Sequence, residues 1–352
     1  MPIGVETQPQ GILAWMMKSL SIVGAGRVGR ALGQRLRQNG WRITVVAGRT
    51  QASAKRAARF IGAGRPIVGV PATVATASTI LLTVPDDAIA SVAGVLAKNA
   101  GEDLRGKVVL HTSGALGSCV LDGLRGAGAA VGSMHPLQTF SGVNVPALEG
   151  KVFAIEGDEL AVRMARRIAR SLGGVPVGIS GSRKPLYHAA GAFAAGLCLA
   201  MEEAGVRMLM NVGLKRREAQ RALLSLTHQV LENYKRLGPQ KAWTGPLARG
   251  DFGVVAAHER ALRELEPEFA SAYCAVSRLA ARVLAHDSGA TLEQLDALAE
   301  NEKIAAKAKA KNIAKGNPQG LTPAQNEQVM SELKLRPLLP NAFFPQAVKG
   351  DK

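Results

Sequence analysis

The sequence predicts an α/β chain, with a doubly wound, mostly parallel sheet followed by an all-helical C-terminal domain. Three observations carry that prediction. Short apolar runs alternate with helical periodicity up to about residue 180, a glycine-rich turn follows the first run, and beyond Ser180 the pattern is helical only. A length of 352 residues suits two domains, and 47% hydrophobic with 20% charged residues fits a globular chain.

The elements follow in order. Residues 1–17 read as a loose leader, with Met16-Met17 just ahead of the first clear element. Leu20-Ser21-Ile22-Val23 is a short strand that enters a glycine turn, and helical periodicity follows over 28–38. Further strands are read at 42–47, 66–70, 79–84, 107–110, 130–134, 152–155 and 175–179. After a boundary near residue 180, residues 187–209 form a long helix dense in Ala and Gly, and 218–237 and 259–286 are amphipathic. From Lys303 the chain is basic, then Pro-rich and polar, as in a mobile tail. The domains are therefore 18–180, 181–302 and a tail over 303–352.

Composition narrows the function classes. The formal charge is +17, concentrated in the first 180 residues and after residue 303, with a nearly neutral middle. An Arg-rich front half suits a phosphorylated cofactor. The chain lacks aromatic stacking platforms and a reading motif, so no nucleic-acid partner is expected. Cys119, Cys198 and Cys274 are far apart and form no CxxC pair. They imply no disulfide framework, no zinc ribbon and no other metal site, and they fit a reducing cytoplasm. The longest uncharged apolar run, 189–201, is shorter than the roughly 20 residues that cross a bilayer. The apolar patch 11–17 lacks a cleavage site, so a cytoplasmic protein with no membrane association is expected.

Gly24-Ala25-Gly26-Arg27-Val28-Gly29 follows a strand and opens a helix. The first glycine permits the tight turn, the second lets the backbone approach a pyrophosphate, and the third allows close helix–strand packing. The pattern predicts a Rossmann-type dinucleotide site that includes Arg27 and Val28. A carboxylate at the end of the second strand would hold a ribose 2′-hydroxyl. This chain has Arg49 and Thr50 instead, which suit a 2′-phosphate and hence NADP(H). Val84-Pro85-Asp86-Asp87 closes the fourth strand, where Val84 and Pro85 border the cofactor and an Asp caps the next helix.

Three more segments sit where strands end: His111-Thr112-Ser113-Gly114-Ala115, His135-Pro136-Leu137-Gln138-Thr139-Phe140 and Arg183-Lys184-Pro185-Leu186-Tyr187-His188. Thr112 is assigned to the cofactor, and His135 and Gln138 to substrate. Lys184 and His188 share a helix face if the helix has begun by Lys184. A lysine desolvated beside a cofactor can protonate a developing alkoxide, with His188 and Ser113 orienting substrate or nicotinamide. Arg249 either clamps a substrate carboxylate or pairs with Asp251 to brace its loop; Asp251 counts with it as a substrate residue.

Together with Thr244-Gly245-Pro246-Leu247-Ala248-Arg249-Gly250-Asp251, these motifs give a chain that resembles a family of predicted oxidoreductases. That family joins an N-terminal Rossmann-like domain to a C-terminal helical domain of unknown function 2520. The likeness covers about residues 19–285. It implies kinship with NADP-dependent reductases of the ketopantoate, pyrroline-carboxylate and 3-hydroxyacid classes, whose helical domain completes the site and often dimerises. In the hydroxyacid members a lysine early in that domain is catalytic, matching Lys184, and a Ser-Gly turn lies beside the nicotinamide, matching Ser113-Gly114. The family also implies an asparagine about three turns after the lysine, where this chain has Gly196. The expected function is NADP(H)-dependent hydride transfer to a small, carboxylate-bearing 2-oxo acid resembling ketopantoate, by a homodimer. The alternatives are reduction of a cyclic imine and a non-catalytic NADP-binding sensor.

Overall fold

The computed structural model describes residues 18–314; the leader 1–17 and the tail from 315 onward lie outside the described residues. Strands that are apolar along their whole length need cover on both faces, and the central strands have it. β1 (Ser19–Val23), β4 (Thr79–Leu82) and β5 (Val108–His111) are buried at every residue. With β2 (Arg42–Gly48), β3 (Arg65–Val68), β6 (Ala130–Pro136), β7 (Val152–Gly157) and β8 (Val175–Gly178) they form one sheet, ordered β3-β2-β1-β4-β5-β6-β7-β8. All neighbours are parallel except β6 and β7. The eight strands read from the sequence are all present.

Helices cover both faces. α1 (Arg27–Gln38), α2 (Gln51–Ile61) and α4 (Glu159–Ser171) bury Leu32, Leu36, Ile61, Met164 and Ile168 on one side with Leu20, Ile22 and Phe153. α3 (Asp86–Ala100) buries Ile89 and Leu96 on the other side with Ile80, Leu82 and Val109. Asp86 and Asp87 sit in the first turn of α3, but its N-cap is Pro85 and no side-chain capping bond forms. That corrects the expected Asp cap, because Asp86 is committed elsewhere.

The strand register sets up the site. Val23 pairs with Leu82, Leu82 with His111, His111 with Ser133, and Ser133 with Glu156. This row crosses the sheet at its carboxyl edge, where ligands of doubly wound folds bind. β8 continues past Gly178 at the same level, since Ile179 N–H donates to the Ile155 carbonyl at 3.0 Å. The chain then turns through Gly181–Arg183 into α5 (Lys184–Ala192). Its first helical residue therefore starts beside the ends of β5 and β6.

Two compact units divide the chain, one up to Cys198 and one from Leu199. The division falls later than residue 180 because the first turns of α5 are anchored to sheet residues. α5 passes through a π-helical turn (Phe193–Leu197) into α6 (Cys198–Asn211). The whole helix, Gly181–Asn211, is 31 residues long, and only 6% of its most apolar stretch is buried. By length and composition it can cross a membrane, which the uncharged run 189–201 alone did not predict. Flanking apolar residues extend that run on both sides.

In the second unit α7 (Arg216–Leu237) is followed by single turns at Pro239–Ala242 and Pro246–Arg249. α8 (Phe252–Leu265) and α9 (Pro267–Leu284) replace the single helix expected over 259–286. Pro267 ends one helix because the residue before proline is pushed out of α geometry, and it starts the next at a position needing no N–H. α10 (Ser288–Ala314) carries helix into the region expected as tail, consistent with the high helix propensity of its Ala and Lys. Val255, Ala281, Leu295 and Leu298 make a small core among α8, α9 and α10.

Phe153 is fully buried, and its ring lies 2.4 Å from where a Cβ on Gly174 would sit. Phe153→Ala should therefore cost about 3–5 kcal/mol in urea unfolding. An unchanged midpoint would show that this ring does not support the sheet.

Candidate functional site

Gly24 has φ +117°, and an added Cβ would lie 2.6 Å from the Thr83 carbonyl carbon. A Cβ at Gly29 would lie 2.3 Å from the Gly24 oxygen and 2.4 Å from Thr83 Oγ1. Thr83 Oγ1 donates to the Gly24 carbonyl at 2.8 Å and so locks the turn against β4. α1 starts at Gly26 with no side-chain cap, so its first N–H groups have no side-chain acceptor there. Gly26 and Arg27 are exposed and Val28 is half-buried. This cradle fits a pyrophosphate, with Arg27 at the helix mouth and its stem against Gly142.

Arg49 and Thr50 are both exposed at the end of β2. The Thr50 hydroxyl caps α2, accepting from Ser53 N–H at 3.2 Å, so Arg49 is the freer group for a phosphate. Val84 and Pro85 follow β4, and Thr112 follows β5 with its hydroxyl 3.4 Å from the Leu82 carbonyl. All three stand at the carboxyl edge.

Lys184 has no exposed surface. Its ammonium donates to the Ser113 carbonyl at 2.7 Å and to Ser133 Oγ. The first turn of α5 is thereby fastened to the β5 loop and to β6. Burial lowers the lysine to about 8, opposed by the charges of Glu156 and Asp86, so it remains largely protonated at neutral pH. The sequence put Lys184 within reach of substrate; the fold instead commits two of its three N–H groups internally.

Ser113 is committed too. Its hydroxyl donates to Asp86 Oδ2 at 2.8 Å and accepts from the N–H groups of Ala115 at 3.1 Å and Leu116 at 3.0 Å. Its role is to hold the 111–116 turn to the start of α3. Glu156, opposite Ser133, accepts from Ser118 N–H and Oγ, each at 2.8 Å.

Above this buried layer lies a ring cluster. His135, near the end of β6, is 2.9 Å from Tyr187 Oη through Nδ1, and it packs edge-on against Tyr187 and His188. Gly114 makes room for it, since a Cβ there would lie 2.5 Å from His188 Cδ2 and 2.9 Å from His135 Nε2. Burial pushes His135 down to about 4 and His111 to about 3, with the Lys184 charge acting the same way on both. Burial raises Tyr187 to about 12. Both imidazoles are therefore neutral and the phenol protonated at pH 7.

Four residues of this site escaped the sequence reading: Tyr187, Ser133, Asp86 and Glu156. Tyr187 carried a usable signal, because it lies one turn after Lys184 on the same helix face. Ser133 and Glu156 meet the cluster through strand register, and Asp86 through its bond with the Ser113 hydroxyl, which no local pattern encodes. Gln138 is braced within its own loop, with Nε2 donating to the Ala147 carbonyl at 3.2 Å and Oε1 accepting from Thr139 N–H at 2.8 Å. In the second unit Arg249 Nε pairs with Asp251 Oδ2 at 3.0 Å, the loop-bracing arrangement. Gly196 lies in the π-helical turn, and a Cβ there would meet nothing within 4 Å.

The Rossmann-like domain family matches residues 8–136, and the domain of unknown function 2520 matches residues 151–280. A candidate NADP oxidoreductase from Bacteroides fragilis is similar to 75% of this chain over 98% of its own length, with 23% identity and a TM-score of 0.62. A protein from Thermotoga maritima is similar over 81% of this chain and 99% of its own, with 25% identity and a TM-score of 0.56. An imine reductase from Myxococcus stipitatus, solved with NADP+, has 19% identity, a TM-score of 0.54, and coverage of 75% and 94%. These likenesses establish the fold. No curated protein matches the chain.

Below pH 6.5 the unfolded chain binds protons that folded His111 and His135 refuse until about 3 and 4. Stability should therefore fall as pH drops through this window, by on the order of 3 kcal/mol from pH 7 to 5. Urea unfolding at both pH values measures it, and replacing both histidines with Gln should flatten the dependence. Equal midpoints in the wild type would contradict the neutral-imidazole assignment.

Proposed function

We propose that this chain, which matches a Rossmann-like domain model followed by the domain of unknown function 2520, is an NADP(H)-dependent reductase of a small, carboxylate-bearing 2-oxo acid. The glycine cradle at the carboxyl edge of the sheet carries this reading most directly, as a backbone concavity facing a helix N-terminus with no side-chain cap. Gly24, Gly26, Arg27, Val28 and Gly29 hold the pyrophosphate, Arg49 takes the 2′-phosphate, and Val84, Pro85 and Thr112 border the nicotinamide. Bound there, the reduced cofactor supplies hydride.

The protein supplies position and electrostatics. Lys184 fixes the Ser113 carbonyl and β6 in one frame, and its buried positive charge favours electron density developing on a substrate oxygen nearby. His135 and His188 orient substrate from the ring cluster above it. A homodimer accounts for the exposure of the apolar helix, on which Phe193 is 58% and Leu199 69% exposed. A small soluble substrate and a cytoplasmic setting accompany this reading.

One observation favours a cyclic imine instead of a ketone. The Lys184 ammonium is enclosed, and an imine that arrives protonated needs no acid from the protein. The fold shared with an imine reductase supports the same alternative.

NADPH should bind at least about tenfold more tightly than NADH, and Arg49→Ala should remove most of that preference in a fluorescence titration. Tighter NADH binding would overturn the choice of cofactor. NADPH absorbance with ketopantoate, other 2-oxo acids and pyrroline carboxylate tests the reaction. Lys184→Ala should lower turnover on the order of a hundredfold by loosening the frame. Undiminished turnover in that variant would remove Lys184 from the mechanism.

A further inference from the structure

The enclosed ammonium of Lys184 poses a question that the ring cluster answers: what delivers the proton when a ketone becomes an alcohol? We infer that Tyr187 and His135 form a two-residue proton relay, with the Tyr187 hydroxyl as the group that protonates the substrate oxygen. The inference deepens the reductase reading and rests on it.

Tyr187 lies three residues after Lys184, so it projects from the same face of α5 toward the same strand ends. Unlike Lys184, it is only half-buried. Its Oη is 2.9 Å from His135 Nδ1. The other ring nitrogen, Nε2, packs against Gly114, whose missing side chain makes room for the ring, and the imidazole is only part-buried. The exposed His188 packs edge-on beside the same imidazole. The groups that face His135 are Lys184, Tyr187 and His188 from α5, Asp86 from α3 and His111 from β5. Among them Lys184 and burial outweigh Asp86 and keep the ring neutral, and a neutral ring can pass a proton along.

The carbonyl carbon gains hydride, with its electron pair, from the reduced nicotinamide, and the carbonyl π pair moves onto oxygen. That oxygen takes the proton of Tyr187 Oη, and Tyr187 takes the Nδ1 proton of His135. Nε2 then accepts a proton from water, leaving the neutral imidazole in its other tautomer, and exchange with solvent resets it. The products are an alcohol and the oxidised nicotinamide. The direction of transfer requires His135 to rest as the Nδ1–H tautomer, donating to the phenol oxygen. An iminium ion already carries its proton, so its reduction draws nothing from the relay.

Tyr187→Phe and His135→Gln test this, with NADPH binding followed by fluorescence and NADPH oxidation measured on a 2-oxo acid and on a cyclic imine. Tyr187→Phe should bind NADPH as the wild type does and lose about a hundredfold in kcat on the ketone. It should change the imine rate by no more than a few-fold. His135→Gln should lower the ketone rate as well. Nitrogen-15 NMR of the cofactor-free protein provides a readout independent of turnover: His135 should be protonated at Nδ1. Protonation at Nε2, equal losses on both substrates, or an unchanged ketone rate in Tyr187→Phe would overturn the relay and leave the reductase. Wild-type activity on imines alone would do the same. Failure of the wild type to bind or oxidise NADPH would remove the reductase and the relay with it.

Discussion

A buried ammonium group needs acceptors, and the way Lys184 finds them organises the first unit. Removing a charge from water costs several kcal/mol unless hydrogen bonds and opposite charges offset it. Here the offsets are the Ser113 carbonyl, Ser133 Oγ and the more distant Glu156 and Asp86 carboxylates. Each lies on a different piece of chain: the β5 loop, β6, β7 and the start of α3. One side chain thus ties three strands' ends and a helix start to the first turn of α5. Burial, with this charge acting the same way, keeps two nearby imidazoles neutral, so the lysine that fixes the geometry also contributes to the protonation states of the cluster above it.

The glycines extend this logic from electrostatics to space. Gly24 and Gly29 let the first turn close onto Thr83, and Gly114 lets two histidines meet above the β5 loop. In each case the missing side chain is replaced by a neighbour that does work: a backbone cradle in one, a ring cluster in the other. The cradle and the cluster lie on the same edge of one sheet because the register row from Val23 to Glu156 brings the strand ends level. The glycine cradle and the ring cluster thereby become neighbours without any long connecting element.

Much of this was legible in the order of residues. Alternating apolar runs and helical periodicity specify a parallel sheet because only double burial suits such strands, and GxGxxG specifies its first turn because only glycine fits there. The helix read from residue 187, with a start at Lys184 left conditional, begins at Lys184, as proline in a first helical turn permits. The break at Glu266 was missed although Pro267 announced it. So were the internal bonds of the Ser113 and Thr50 hydroxyls, which were read as facing ligands. A hydroxyl's partner depends on which backbone N–H or carboxylate the fold brings near, and the sequence does not state that distance.

What the sequence determined by itself is therefore the set of local decisions: strand or helix, the glycine turn, the arginine that stands where an acid would favour NAD, and the two-part organisation. Those depend on periodicity and on steric limits within a few residues. Only the tertiary structure decided that Lys184 is enclosed, that Asp86 holds Ser113, and that His135 meets Tyr187 across 52 positions of sequence. These contacts are fixed by strand register and by the angle at which α5 leaves the sheet, and both arise from packing of the whole unit.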